Sequence, residues 1–265
     1  MSRIKNLKVT AFIGTDSKQA TYKAVLEFEK SLKQLSEIDF EIVFLKDYHL
    51  EFCHSCCNCF QNGEEYCPSK DDRDKLIERI WNSDGVIFAT PNYTFQVSAR
   101  MKNFIDRMAF IYHRPGFFGK AFTAVVTQGV LGGRDVLKYL YLTGENLGFH
   151  VSKGCSVTTH RPMTNAQQNK LSKEVKKAAA RFHTELLRPA PSPSFFRLIM
   201  FRMARTSIKS VDKKFKDYQF YKEKGWFESA YYYPVKLNIL KRLVGKITDG
   251  IGTKMAKNAI KADKS

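Results

Sequence analysis

The sequence predicts an α/β protein: a doubly wound, five-stranded parallel sheet with helices on both faces, followed by a mostly helical C-terminal extension. Three observations carry the prediction. Between residues 7 and 187, β-rich runs alternate five times with runs of helical period, the pattern of a sheet built from crossover connections. Pro189, Pro191 and Pro193 then interrupt regular structure. Beyond them the composition turns basic and aromatic.

Each element has its own signal. Leu7 to Ile13 is a β-rich run ending at Gly14, and Ser17 to Ser36 carries Tyr22, Val25, Leu26, Phe28 and Leu32 at helical spacing. Phe40 to Leu45 is the second strand, followed by an irregular cysteine-rich stretch from Asp47 to Lys70. A helix starts near Asp71, where Asp71, Asp72 and Asp74 favour its positive end, and stops at the Asn82-Ser83-Asp84-Gly85 turn. Val86 to Ala89 is a short buried strand and Val97 to Tyr112 a helix. Phe122 to Thr127, Arg134 to Leu147, Val151 to Val157 and Asn165 to Leu187 read as strand, helix, strand and helix. The proline run places a domain boundary between residues 1–188 and 189–265. Past it, Phe195 to Ile208 and Val235 to Met255 read as helical, with an aromatic stretch from Tyr218 to Tyr233 between them.

Composition narrows the function classes. The 265 residues are 43% hydrophobic, enough for a sizeable core, and carry a formal charge of +18. No apolar run approaches the ~20 residues of a membrane span, and the N-terminus has no secretory-signal pattern. A cytoplasmic protein with mostly reduced cysteines is expected. Residues 189–265 hold 17 Lys or Arg against 6 Asp or Glu, a net of +11. No homeodomain, zinc-finger, RNA-recognition or helix-turn-helix pattern accompanies this charge, so nucleic acid is not an expected partner.

Open parallel sheets bind ligands beyond the carboxyl ends of their strands. In the loop after the first strand, Thr15, Ser17 and Thr21 place hydroxyls beside the free amides of a helix start, together with Lys18, Gln19 and Ala20. Those hydroxyls suit a phosphate monoester, or cap the helix's own amides. The loop is neither a dinucleotide fingerprint nor a Walker loop. After the third strand, Pro91 fixes a turn, Asn92 can bond a polar ring or ribityl chain, and Tyr93, Thr94 and Phe95 follow with two flat faces. After the fourth strand, Thr127, Gln128 and Gly129 begin a run with three glycines that allow close backbone approach. A phosphorylated, planar, polar-edged ligand fits these loops, and FMN is one.

These residues resemble a known family. Ser83-Asp-Gly-Val-Ile-Phe-Ala-Thr-Pro-Asn-Tyr93 followed by Met101-Lys-Asn-Phe-Ile-Asp-Arg107, with the first-strand loop and the cysteine stretch leading to Asp71-Asp72, is similar to the NAD(P)H-dependent FMN reductase branch of the flavodoxin-like superfamily. The resemblance covers residues 7 to about 187. It implies FMN with its phosphate near Ser17 to Thr21 and its ring near Pro91 to Phe95 and Thr127 to Gly129. The first loop departs from the family's usual Ser directly after Gly, and Asp16 sets a negative charge beside the expected phosphate. Cys53, Cys56, Cys59 and Cys67, with Cys57 among them, have the spacing Cys-x2-Cys-x2-Cys-x7-Cys. Thiolates so spaced suit an Fe–S cluster or zinc, or act as unligated redox thiols. The spacing resembles the iron-sulfur flavoproteins, which implies a [4Fe-4S] centre beside FMN.

Asp106 and Arg107 are expected to support packing around the site. No residue is assigned a catalytic role, because a flavin carries its own redox chemistry. In the extension, Leu240, Leu243, Val244, Ile247 and Ile251 share a helical face with Lys241, Arg242, Lys246 and Lys257 mostly opposite. That face is expected to dock on the domain or a second subunit, with peripheral membrane contact as the alternative. The reading is an FMN-dependent NAD(P)H oxidoreductase serving a small-molecule or protein electron acceptor, expected as a homo-oligomer. Its alternatives are an electron-carrying iron-sulfur flavoprotein and a non-enzymatic binding module.

Overall fold

β1 (Leu7–Ile13) is buried along nearly its whole length on both faces, as a central strand of a parallel sheet must be. In this computed structural model, which describes residues 6–160, 162–188 and 191–262 with side chains to Met255, β1 pairs in parallel with β2 (Ile38–Phe44) and β3 (Gly85–Pro91). Val9 lies opposite Phe40 on one side and Gly85 on the other. β4 (Ala121–Gln128) extends the sheet beyond β3, and β5 (His150–Val151) and β6 (Cys155–Thr158) share its outer edge. The strand order is 2-1-3-4-5, and the winding reverses between β1 and β3. Pro189 and Ala190 of the predicted boundary, the first five residues and the side chain of Lys257 lie outside the described residues.

The predicted fifth strand is two strands. Gly154 leaves the ladder where its backbone runs against β4, so close that a Cβ there would sit 1.8 Å from the carbonyl oxygen of Ala124. The predicted helix over 97–112 is also two pieces, α4 (Ala99–Asp106) and α5 (Ala109–His113), separated where Met108 turns tightly onto Ile105. The helix predicted from Ser17 begins at Ala20.

α1 (Ala20–Lys33) and α7 (Asn165–Leu186) cover one sheet face. Phe28, Leu32, Val175 and Phe182 there enclose Val9, Ala11, Ile87 and Val125. On the other face α4 brings Phe104 against Phe12 and Phe88, and α6 (Gly133–Leu147) lies over Phe122, which packs on Phe88 and Phe149. Trp81, ending α3 (Arg73–Trp81), meets Phe117 edge-on at 4.7 Å. With helices on both faces, the carboxyl edge of the sheet is where a ligand site is built.

The chain divides into two compact units. The first comprises the described residues up to His54 and from Ser69 to Arg188. The second joins Ser55–Pro68 to the described residues from Pro191 onward. In the second unit α2 (Asn58–Gln61) lies against α9 (Lys216–Glu223), a helix that overlaps the start of the aromatic stretch, and α8 (Phe195–Lys209) packs on α10 (Ile239–Ala262). The aromatic stretch packs largely on itself: Trp226 meets Tyr221 at 4.9 Å and Tyr232 at 4.7 Å, and Tyr232 reaches Phe201 of α8.

Candidate active site

At the winding reversal, the ends of β1, β3 and β4 surround a cavity of about 320 Å³, at the lower end of small-molecule sites. Thr15, Ser17, Ala20 and Thr21 line it from the first loop, Pro91, Asn92 and Tyr93 from the third, and Thr127, Gln128 and Gly129 from the fourth. Ten of the fourteen residues expected to bind cofactor therefore share one cavity.

The first loop offers donors. Gln19 caps α1 without any side-chain hydrogen bond, and the first turn contains no acidic residue. The alternative that the hydroxyls satisfy the helix's own amides is thus not realised. Thr15 and Ser17 interact only loosely with each other, at 3.5 Å. Thr21 is tied instead to Thr127 by a 2.7 Å hydroxyl contact that joins the first and fourth loops. Asp16 does not face the cavity uncompensated: Arg100 binds both its oxygens, and this hydrogen bonding holds the carboxyl below its ordinary 3.8.

The third loop is held in an unusual conformation. Tyr93 and Gln96 exchange backbone hydrogen bonds of 3.0 and 2.9 Å across Thr94 and Phe95, both at positive φ (51° and 61°). Left-handed backbone is uncommon for a β-branched residue such as Thr94 and costs about 1–3 kcal/mol, so the surroundings must enforce it. Gly132, itself at φ 93°, leaves the room: a Cβ there would lie 2.5 Å from the Phe95 ring. The result is that Tyr93 and Phe95 stand 58% and 59% exposed, not buried in the core. Asn92 donates its Nδ2 to the Leu131 carbonyl at 2.8 Å, while its buried Oδ1 has no partner.

Two expectations change here. The glycine run does not serve only close approach to a ligand, since Gly132 accommodates Phe95. Gln128 lines the cavity, yet its amide is occupied: Oε1 accepts from the Gly133 amide at 2.5 Å and Nε2 donates to Thr158 at 3.1 Å. It shapes the loop.

Of the remaining expected residues, Lys18 points its Nζ over the Tyr22 ring at 5.9 Å. Thr94 and Phe95 form the turn. Gln19 lines a neighbouring hollow with Lys23, His160 and Gln168. The sequence reading missed Thr159, which lines the cavity just after β6; the rule that ligands sit at strand ends, applied to the fifth strand, would have found it. His160 closes that side, with Nε2 3.2 Å from the Gly129 carbonyl and Nδ1 2.9 Å from Gln167.

The cysteines are less well gathered. Cys53 belongs to the first unit, and Cys56, Cys57, Cys59 and Cys67 to the second. Cys53, Cys56 and Cys57 are exposed, Cys59 and Cys67 partly so. Among the described residues no three His, Cys, Asp or Glu side chains are placed to hold a metal ion. What is well built is the approach to them. Asp71, 1% exposed, accepts from Arg107 at 3.0 Å, from the Arg73 amide at 3.1 Å and from the Glu51 amide at 2.9 Å, and Asn103 donates to the Leu50 carbonyl. Arg107 thus supports packing, as expected, by pinning residues 50–51. Asp106 pairs with Lys102 on the exposed side of α4.

A doubly wound sheet of order 2-1-3-4-5, with an uncapped helix start and an aromatic lip at its switch point, defines the class of flavodoxin-like α/β proteins. Residues 7–162 match the NADPH-dependent FMN reductase family, and the chain belongs to it. An iron-sulfur flavoprotein of Archaeoglobus fulgidus is 30% identical over 233 residues, 83% of this chain and 100% of that protein. Another, from Clostridioides difficile, is 27% identical over 175 residues, 64% of this chain and 76% of the relative. The azoreductase of Bacillus anthracis has the same fold, with a TM-score of 0.53 at 15% identity over 67% of this chain and 99% of its own.

Proposed function

We propose that this flavin-dependent oxidoreductase binds FMN in the cavity at the switch point, takes reducing equivalents from NADPH or NADH, and passes them to a small-molecule or protein acceptor. The observation that carries the reading is that an α1 start without a side-chain cap and the buried, unpartnered Asn92 Oδ1 border the same cavity. The first offers N–H donors to a phosphate. The second offers an acceptor that a ring N–H or ribityl hydroxyl would satisfy. Hydroxyls of Thr15 and Ser17 add further donors, and Tyr93 supplies a flat face that excludes water from one side of a ring. FMN, when bound, supplies hydride acceptance and electron release, so the residues here bind, orient and shield. Anaerobic titration of the flavin-loaded protein with NADPH and with NADH tests the reading: bleaching of the flavin band by either supports it. Failure of the purified protein to bind added FMN overturns it.

A second reading, an iron-sulfur flavoprotein that carries electrons, is favoured by the cysteine spacing and by the names of the relatives. It requires the thiols to come together from the arrangement described above. Iron and sulfide analysis of anaerobically purified protein, repeated on Cys53→Ala/Cys59→Ala, decides it. Stoichiometric iron lost in the variant supports a cluster, and absence of iron in the parent removes it.

A further inference from the structure

Helices packed in pairs ordinarily turn their apolar stripe inward. α10 does the reverse. Its buried positions are Gly245, Thr248 and Gly252, the two glycines lying against Arg202 and Thr206 of α8, and Asp249 is held by both Arg202 and Arg205. Small and polar groups thus make the helix–helix contact. Leu240, Leu243, Ile247 and Ile251 are left on the opposite side, each 53–57% exposed. α8 leaves Phe196 and Met200 exposed as well. The sequence expectation that the apolar face of α10 would dock on its own protein is therefore not realised within its unit.

Charge indicates what covers it. Exposed Lys246 borders the stripe and exposed Lys254 lies at its end, within a segment of net +11. Among the described residues no helix is long and apolar enough to cross a membrane. An apolar stripe bordered by cations on such a helix has the character of an element lying in the plane of an anionic bilayer interface, with lysine and arginine stems reaching to the headgroups. A second copy is disfavoured, because pairing through this face would bring two segments of +11 together. We propose that the exposed stripe of α10 binds the surface of an anionic lipid membrane. The proposal rests on the second unit alone and is independent of the flavin reading.

Co-sedimentation of the full chain with vesicles tests it, using phosphatidylcholine alone and phosphatidylcholine mixed with phosphatidylserine. The protein is expected to pellet with the anionic vesicles, to be released by salt, and to stay in solution with phosphatidylcholine alone. Lys246→Gln/Lys254→Gln is expected to weaken partitioning about twenty-five-fold, each interfacial cation being worth roughly five-fold. Leu243→Ser/Ile247→Ser is expected to abolish pelleting. All four positions are exposed, so circular-dichroism melts should match the parent. The salt dependence of the unaltered protein keeps the test intact if a variant fails to fold. Three outcomes overturn the proposal: no pelleting with anionic vesicles, equal pelleting with both kinds, or self-association in sedimentation velocity that Leu243→Ser/Ile247→Ser removes without any vesicle binding.

Discussion

Arg100 grips Asp16 through two hydrogen bonds, Nε to Oδ1 at 2.5 Å and Nη2 to Oδ2 at 3.0 Å, joining α4 to the loop after β1 across 84 residues of sequence. The pair offsets the negative charge that Asp16 brings to the proposed phosphate site. Arg100→Ala is expected to raise the FMN dissociation constant about ten-fold, with Asp16→Asn restoring most of the loss in the double variant. Flavin fluorescence quenching measures both. No rescue would mean that Arg100 acts on the site by another route.

The same pair fixes a pH dependence. The Asp16 carboxyl lies below its ordinary 3.8, chiefly through the Arg100 hydrogen bond. A carboxyl lowered on folding contributes stability that is fully present above its unfolded value and is lost as pH falls through the folded value. FMN affinity should therefore show no pH dependence from this pair between about pH 5 and pH 8, any change being confined below about pH 4. An affinity that changes through the neutral range in the parent but not in Asp16→Asn would contradict this assignment.

Ser17 lines the cavity beside the start of α1. A carboxylate there would repel a phosphate and accept the amides meant for it. Ser17→Asp is expected to weaken FMN binding about ten-fold or more while leaving the urea midpoint near that of the parent. Unchanged affinity would remove this loop from the site.

Gly132 sits at φ 93° with the Phe95 ring directly over the position of a Cβ. Gly132→Ala should destabilise the protein by about 1–3 kcal/mol, through the left-handed backbone and the forced movement of Phe95. Flavin affinity should fall with it, since Asn92 lies 3.0 Å from the same point. Urea unfolding and flavin titration together test both effects.

Arg107 and Asp71 are 2% and 1% exposed at the side chain, an ion pair with almost no access to water. Removing one partner strands the other charge, which typically costs about 3–5 kcal/mol. Arg107→Met is expected to lose stability on that scale, and Arg107→Met/Asp71→Leu to recover only part of it, because Asp71 also accepts from the amides of Glu51 and Arg73. Full recovery in the double variant would reduce Asp71 to a charge partner alone.

Much of the site could be read from the chain because an open α/β sheet fixes its location: whatever follows β1, β3 and β4 borders the cavity. Thr15, Asn92 and Thr127 are therefore legible in the sequence alone. Gln128 shows the limit. Its place beside the cavity follows from topology, whereas the use of its amide on Gly133 and Thr158 depends on how the loop closes. Thr159 follows the end of the fifth strand and is legible by the same rule, whereas the interruption of that strand near Gly154, where the backbone passes close to the carbonyl of Ala124, is not revealed by residues 151–157.

The sequence by itself determined the alternation of strands and helices, the parallel sheet and the loops at its carboxyl edge, because periodicity and turn residues act over a few neighbouring positions. Only the tertiary structure decided which partners distant residues take: Arg100 for Asp16, Arg107 for Asp71, and the C-terminal helices as the unit shared by Cys56, Cys59 and Cys67. It also turned α10 over. Hydrophobic period marks a helix as two-faced, but which face meets its neighbour depends on how closely the backbones approach, and Gly245 and Gly252 let α8 pack on the side without the leucines.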